Sequence, residues 1–243
     1  MNISKNIKLI MLSFLILGTG CATSKINEAE VSKVKKVAVV AFSANLPASQ
    51  KLSLDVMSGK TSGEQGGNLL TETSLTINQI LHHINQSFIK NKNWQVLETN
   101  TMKMNPAYIQ AYKSTMDGWQ NKMPAGAGTK DYVVKDVMDK DGLRLLGPEG
   151  KKQLIQALKV DAVIAVNVTT NLEGFTVMGI GKRKPQSSVL IQVYNENEDS
   201  PIWFESFKGD ESEDSVGMTG FIDEEKLQTL SLASVKTALK KIK

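Results

Sequence analysis

The sequence predicts an α/β fold, a single mixed β-sheet with helices packed on it and a helical insert. Three observations carry this. Val37 to Phe42 is a nearly continuous apolar run, as expected of a central strand buried on both faces. Ile77, Ile80, Leu81, Ile84 and Phe88 recur at the spacing of one helix face. Three apolar segments, Ala162 to Val168, Ser188 to Tyr194 and Ile202 to Phe207, then follow one another and lead into a last amphipathic segment.

The chain opens with "MNISKNIK", which carries Lys5 and Lys8, and continues with Leu9 to Leu17, broken only by Ser13. A basic start, a short apolar run and small residues after it make an export signal. The run is too short to span a bilayer, which needs about 20 residues. Gly18, Thr19 and Gly20 then lead directly into Cys21, the only cysteine of the chain. This stretch resembles the lipobox of bacterial lipoproteins, with Gly18 standing where that family usually has leucine. The resemblance implies lipid on the Cys21 sulfur, removal of residues 1–20 as a lipoprotein signal peptide, and acylation of the new amino terminus. Ala22 rather than an aspartate after the cysteine implies the outer membrane. A solitary cysteine in an exported chain stays free, pairs between molecules or is modified, and modification fits best.

Residues 21–33, including "ATSKINEAEVSK", are polar and lack an apolar face, so they read as a flexible tether. The domain then runs from 34 to 243. Its first strand closes in a polar segment with Pro47, and residues 45–71, with "SGKTSGEQGGN" at their centre, read as a long loop. After the first helix, Trp94 to Glu98 reads as a short strand. Residues 101–146 read as a helical insert, in which Pro106 suits a first helical position and "MPAGAGTK" a loop. Pro148 and Glu149 suit another helix start, Leu154, Ile155 and Leu158 supply its buried stripe, and Asp161 marks its exit. "NENEDSP" is a turn between the last two strands, and Leu232, Val235, Leu239 and Ile242 share a face of a terminal helix. Early strand–helix alternation thus gives way to an antiparallel meander.

"KKVAVVAF", "WQVLE", "ALKVDAVIAVNV", "SSVLIQVYN", "PIWFESF" and "ASVKTALKKI", in this order and around an amphipathic helix, resemble the superfamily of TolB amino-terminal-like lipoproteins. That superfamily includes curli-secretion lipoproteins and lipoprotein activators of penicillin-binding proteins. The resemblance covers most of the chain after the signal except 45–71 and 101–146, and it implies a lipid-anchored domain that serves another envelope protein.

Charge excludes one class. Removing residues 1–20 takes away Lys5 and Lys8 and no acid, leaving 27 basic against 25 acidic side chains. That balance lacks the basic field of a nucleic-acid binder. Near-motifs fail on spacing. "SGKTS" has Leu54 where a phosphate-binding loop needs glycine, and "GFTVMGIGKRKP" has Ile180 where it needs lysine. The three cations of the latter, Lys182, Arg183 and Lys184, form a candidate interaction loop for anionic lipid or an acidic partner. His82 and His83 are adjacent, about 100° apart on a helix, and cannot grip a metal as an i, i+4 pair. No G-x-S-x-G elbow is present. Asp210, Glu211, Glu213 and Asp214 cluster in "KGDESEDS" without calcium-loop spacing. Trp119 and Trp203 read as core residues.

The expectation is a non-catalytic lipoprotein with no metal or cofactor, held in the membrane through lipid on Cys21, whose domain binds an envelope protein and not nucleic acid. A homo-oligomer is left open. One rival is a curli-channel-like oligomeric secretion component, with a crossing hairpin drawn from "NLEGFTVMGIGKRKPQSSVLIQV". Another is a periplasmic glycan- or ligand-binding protein.

Overall fold

The computed structural model describes residues 24–47, 70–72, 74–116, 129–174, 183–216 and 223–243. At its centre lies β2 (Lys36–Pro47), which has Val37 to Ala44 buried without interruption. Along one edge it pairs in parallel with β6 (Ala162–Glu173), from Val37↔Ala162 to Asn45↔Thr169. Its other edge is divided: β4 (Gln95–Val96) pairs in parallel with the first residues, and β5 (Thr129–Val133) pairs antiparallel with the last. The parallel start is set by Asp161, whose Oδ2 accepts the backbone N–H groups of both Lys35 and Lys36 at 2.8 Å. The sequence reading had Asp161 only as a helix exit; here it joins the beginnings of the two central strands.

From β6 the sheet continues antiparallel through β7 (Lys184–Asn195) and β8 (Trp203–Lys208) to the short edge strand β1 (Lys25–Ile26). On the far side β3 (Leu70–Glu72) pairs in parallel with β5. The mixed sheet with packed helices is therefore as expected. Helices cover both faces. Successive β7 side chains point to opposite faces; Ser187 meets Ser234 of α7 (Glu224–Leu239), whereas Tyr194 meets Lys151 of α6 (Gly147–Leu158). Beside α7 lies α2 (Leu75–Lys92), capped by the Ser74 hydroxyl at its start and by left-handed Asn93 at its end, with the predicted stripe of Ile77, Ile80, Leu81, Ile84 and Phe88 buried.

Two readings change. The insert is not purely helical. It contains α3 (Thr99–Lys103), α4 (Pro106–Met116, starting at the expected proline) and the one-turn α5 (Gly142–Leu145), but its residues 129–133 supply β5 to the sheet. A five-residue strand whose partner lies over 80 positions earlier has no signature of its own. The polar tether also shortens, because Lys25 and Ile26 pair with Phe204 and Trp203 and are followed by α1 (Glu28–Val31). Edge pairing uses backbone groups and needs no apolar side chains, so polarity did not reveal it. Of the long loop, Asn45 to Pro47 belong to β2, and 48–69 lie outside the described residues.

Between Val39 and Ala41 the β2–β6 register slips by one residue. Such a bulge leaves backbone groups without ladder partners. The hydroxyl of Tyr108 on α4 donates to the Val40 carbonyl at 2.9 Å and accepts the Met138 N–H at 3.0 Å, while the Phe42 N–H donates to the Met138 carbonyl. Tyr108 is fully buried, and burial pushes its hydroxyl well above the ordinary tyrosine value, with the Met138 hydrogen bond opposing. One buried phenol thus ties the insert to the irregularity in the central strand.

Candidate interaction surfaces

On the sheet side, α7 presents Ser231, Ser234 and Ala238, all buried. The Ser234 hydroxyl accepts the Ser187 N–H at 2.9 Å and donates to the Asp210 carbonyl at 2.7 Å. Thr170 and Ser187 exchange a hydroxyl hydrogen bond at 2.8 Å. A Cβ at Gly209 would lie 2.0 Å from the Ser234 carbonyl oxygen, so the helix approaches as closely as it does only because residue 209 has none. These hydroxyls serve to seat the helix on the sheet.

The opposite side of the same helices is different. His83 of α2 lies beside Lys236 of α7, and the Asn91 side-chain amide donates to the Leu239 carbonyl at 3.1 Å, so the two helices run in the same direction and end together. Between them is an open groove of about 380 Å³ bordered by His83, Lys90, Asn91, Lys236, Leu239 and Lys240. Lys90, Lys236 and Lys240 have neither ion pair nor hydrogen-bond partner for their ammonium groups among the described residues. Burial, then the charge of Lys236, then that of His82 holds the His83 imidazole below the ordinary histidine value. At the end of α2, the Lys92 ammonium sits 4.5 Å above the Trp203 ring; burial lowers its pKa, and the Glu205 carboxylate opposes that shift.

A second groove of about 250 Å³ opens where β2 and β6 begin, lined by Glu30, Lys33, Gln156, Asp161, Asn195 and Glu196 among others. Apart from Lys159, which has no ion pair among the described residues, its charges are mutually engaged. Lys33 pairs with Glu30 at 2.5 Å, the Asn195 amide donates to Glu30 at 2.8 Å, and Gln156 donates to Glu196 at 3.2 Å. The Lys33 hydrogen bond is the largest of the effects that keep the Glu30 carboxyl below its usual range. Such a site has little charge left for a ligand.

Of the residues singled out from sequence, Cys21 and Lys182 lie outside the described residues, as do Trp119 and the "SGKTS" segment. Arg183 accepts the Val216 N–H at its backbone carbonyl, and the Lys184 ammonium lies 3.6 Å from Glu211 at the start of β7. The cation loop is therefore partly tied to the acidic loop opposite it. Asp210 of that loop is 3.4 Å from Lys241. Trp203 is core, 1% exposed, and packs with Phe88, Trp94 and Phe207. The stretch considered as a crossing hairpin supplies Val189, Ile191 and Val193 to the core of β7, a use that competes with lining a pore. Among the described residues no three His, Cys, Asp or Glu side chains converge as metal ligands, and no helix is long and apolar enough to cross a membrane.

Sequence reasoning missed the cationic groove. The signal was present: neither 75–92 nor 226–243 contains an acidic residue, yet together they carry seven lysines. Only the tertiary contact shows that the two segments are neighbours.

No family model and no curated protein matches the chain. Among solved structures it is similar to the hypothetical protein CT253 from Chlamydia trachomatis, at 12% identity over 86% of this chain and 93% of that one, with a TM-score of 0.39. It is also similar to the LpoB C-terminal domain from Salmonella enterica, at 9% identity over 75% of this chain and 94% of that one, TM-score 0.36. A third similarity is to lipoprotein GNA1162 from Neisseria meningitidis, at 12% identity over 85% of this chain and 99% of that one, TM-score 0.35.

Proposed function

We propose that the chain is a lipid-anchored, non-catalytic envelope lipoprotein of the outer membrane whose periplasmic domain binds or supports another envelope protein. The observation that carries this reading is Cys21, the sole cysteine, directly behind "LILGTG" and an apolar run too short to span a bilayer. Two or more acyl chains hold a protein stably on a membrane, where one does so only marginally. The fold is consistent with the anchor: the first strand of the domain begins within a few residues of Cys21.

The test is the intact mass of the protein recovered from membranes, compared with its Cys21→Ser variant, followed by crosslinking in the same membranes. The expected result is a chain starting at residue 21 with three acyl groups, no such adduct in the variant, and one recurrent crosslinked envelope protein. An unacylated Cys21 in a soluble product would overturn the anchor. Turnover of an envelope substrate by the purified protein would overturn the non-catalytic assignment.

A further inference from the structure

The groove between α2 and α7 has a net charge that helix geometry alone does not require. Lysines near helix C-termini complement the macrodipole, which amounts to roughly −0.5 charge at each end. Because α2 and α7 end side by side, about one negative charge is to be offset. Four ammonium groups stand there, Lys90, Lys92, Lys236 and Lys240; with the Glu205 carboxylate beside Lys92 also set against them, a surplus of about two positive charges remains. No acidic residue occurs in 75–92 or 226–243 to reduce it. Net cationic grooves with unpaired lysines fit a polyanionic surface.

The chain's course identifies which surface. Lys92 lies over Trp203, and Trp203 is the register partner of Ile26 in the edge strand β1. Cys21 precedes Ile26 by five residues, a reach of at most about 18 Å even if fully extended. The cationic ends of α2 and α7 therefore lie close to the point at which the chain leaves for its lipid. A helix layer is about 10 Å thick, so that reach is enough to lay the outer face of these helices on the bilayer. At physiological salt, surface charges act over about 8 Å, and a domain held this near the headgroups stays within that range.

We propose that the lysine-lined groove between α2 and α7 docks on the phosphate headgroups of an anionic leaflet, so that the domain lies on the membrane instead of swinging on a tether. The inference rests on the lipid anchor proposed above. It fixes which faces remain for a protein partner: those away from α2 and α7.

The test is flotation of the full chain with phosphatidylcholine vesicles, with and without phosphatidylglycerol. Four proteins are compared: the acylated chain, its Cys21→Ser variant, and each of these with Lys90→Gln, Lys236→Gln and Lys240→Gln added. Each lysine at an anionic surface tightens binding about fivefold. Cys21→Ser is expected to prefer the phosphatidylglycerol vesicles, to lose that preference in high salt, and to weaken about a hundredfold when the three glutamines are added. Equal flotation with and without phosphatidylglycerol, or no effect of the glutamines in a folded variant, would overturn the docking. The anchor is read separately, since the acylated chain should float on phosphatidylcholine alone whatever its lysines. If the glutamines abolish an envelope-protein crosslink and leave vesicle binding intact, the groove is a protein site and the lipid assignment is wrong.

Discussion

Helix α7 meets β7 on one side and solvent on the other, and the two sides are built on different physics. The inner side is steric: Ser231, Ser234 and Ala238 are small, Gly209 lets the backbone approach, and each hydroxyl is placed by a hydrogen bond. The outer side is electrostatic: Lys236 and Lys240, with Lys90 of α2, have no ion-pair or hydrogen-bond partner for their ammonium groups among the described residues. Packing at the inner side is intolerant of a single added carbon, whereas outer side chains are free to change at small cost to the fold. The comparison teaches that stability and binding should be separable on one helix.

The strongest way to break it is to remove what the end of α2 rests on. Trp203→Ala deletes a fully buried side chain that packs with Phe88, Trp94 and Phe207 and supports the Lys92 ammonium, and should cost about 3–5 kcal/mol in denaturant unfolding. Retention of wild-type stability would mean that these helices are seated elsewhere. Next, Gly209→Ala drives a methyl into the Ser234 carbonyl and should cost about 2–3 kcal/mol. Per folded molecule, its vesicle binding should be unchanged; a matching loss of binding would show that the two sides of α7 are coupled.

Tyr108→Phe tests the opposite face of the sheet. It leaves the buried Val40 carbonyl and Met138 N–H without their partner and should cost about 1–3 kcal/mol, mostly through the unsatisfied groups. Its pH dependence has a definite sign. The folded hydroxyl has a raised pKa, so its stabilisation is complete below the unfolded tyrosine value near 10 and declines as pH rises from there through the folded value. The thermal midpoint of the parent should fall more steeply above pH 10 than that of Tyr108→Phe; parallel curves would refute the assignment. The smallest stability effect belongs to the outer side: Lys236→Gln with Lys240→Gln should shift unfolding by less than about 0.5 kcal/mol while weakening anionic-vesicle binding. A large loss of stability there would make the lysines structural.

Legibility from sequence followed the range of the interaction. The stripe of α2, the strand cores Val37 to Phe42 and Ala162 to Val168, the turn between β7 and β8 and the proline start of α4 all rest on neighbouring residues, whose periodicity reports the environment directly. β5, β1 and the role of Asp161 rest on partners far away in the chain, and their own side chains carry no matching pattern. Among site residues, Lys184 was named as part of an exposed cationic loop, but whether its charge is available depended on Glu211, which only the sheet brings near. Lys90, Lys236 and Lys240 went unremarked because each is an ordinary lysine on a helix surface.

Cys21 as the one thiol, the α/β class and most buried stripes were determined by the linear sequence, because composition, hydropathy and periodicity are local quantities. The division of the β2 edge between β4 and β5, the pinning of its bulge by Tyr108, and the meeting of the lysine-bearing ends of α2 and α7 in one cationic groove were decided by tertiary structure alone. Hydrogen bonds act over about 3 Å and screened charges over about 8 Å, so residues far apart in the chain interact only after it has folded them together.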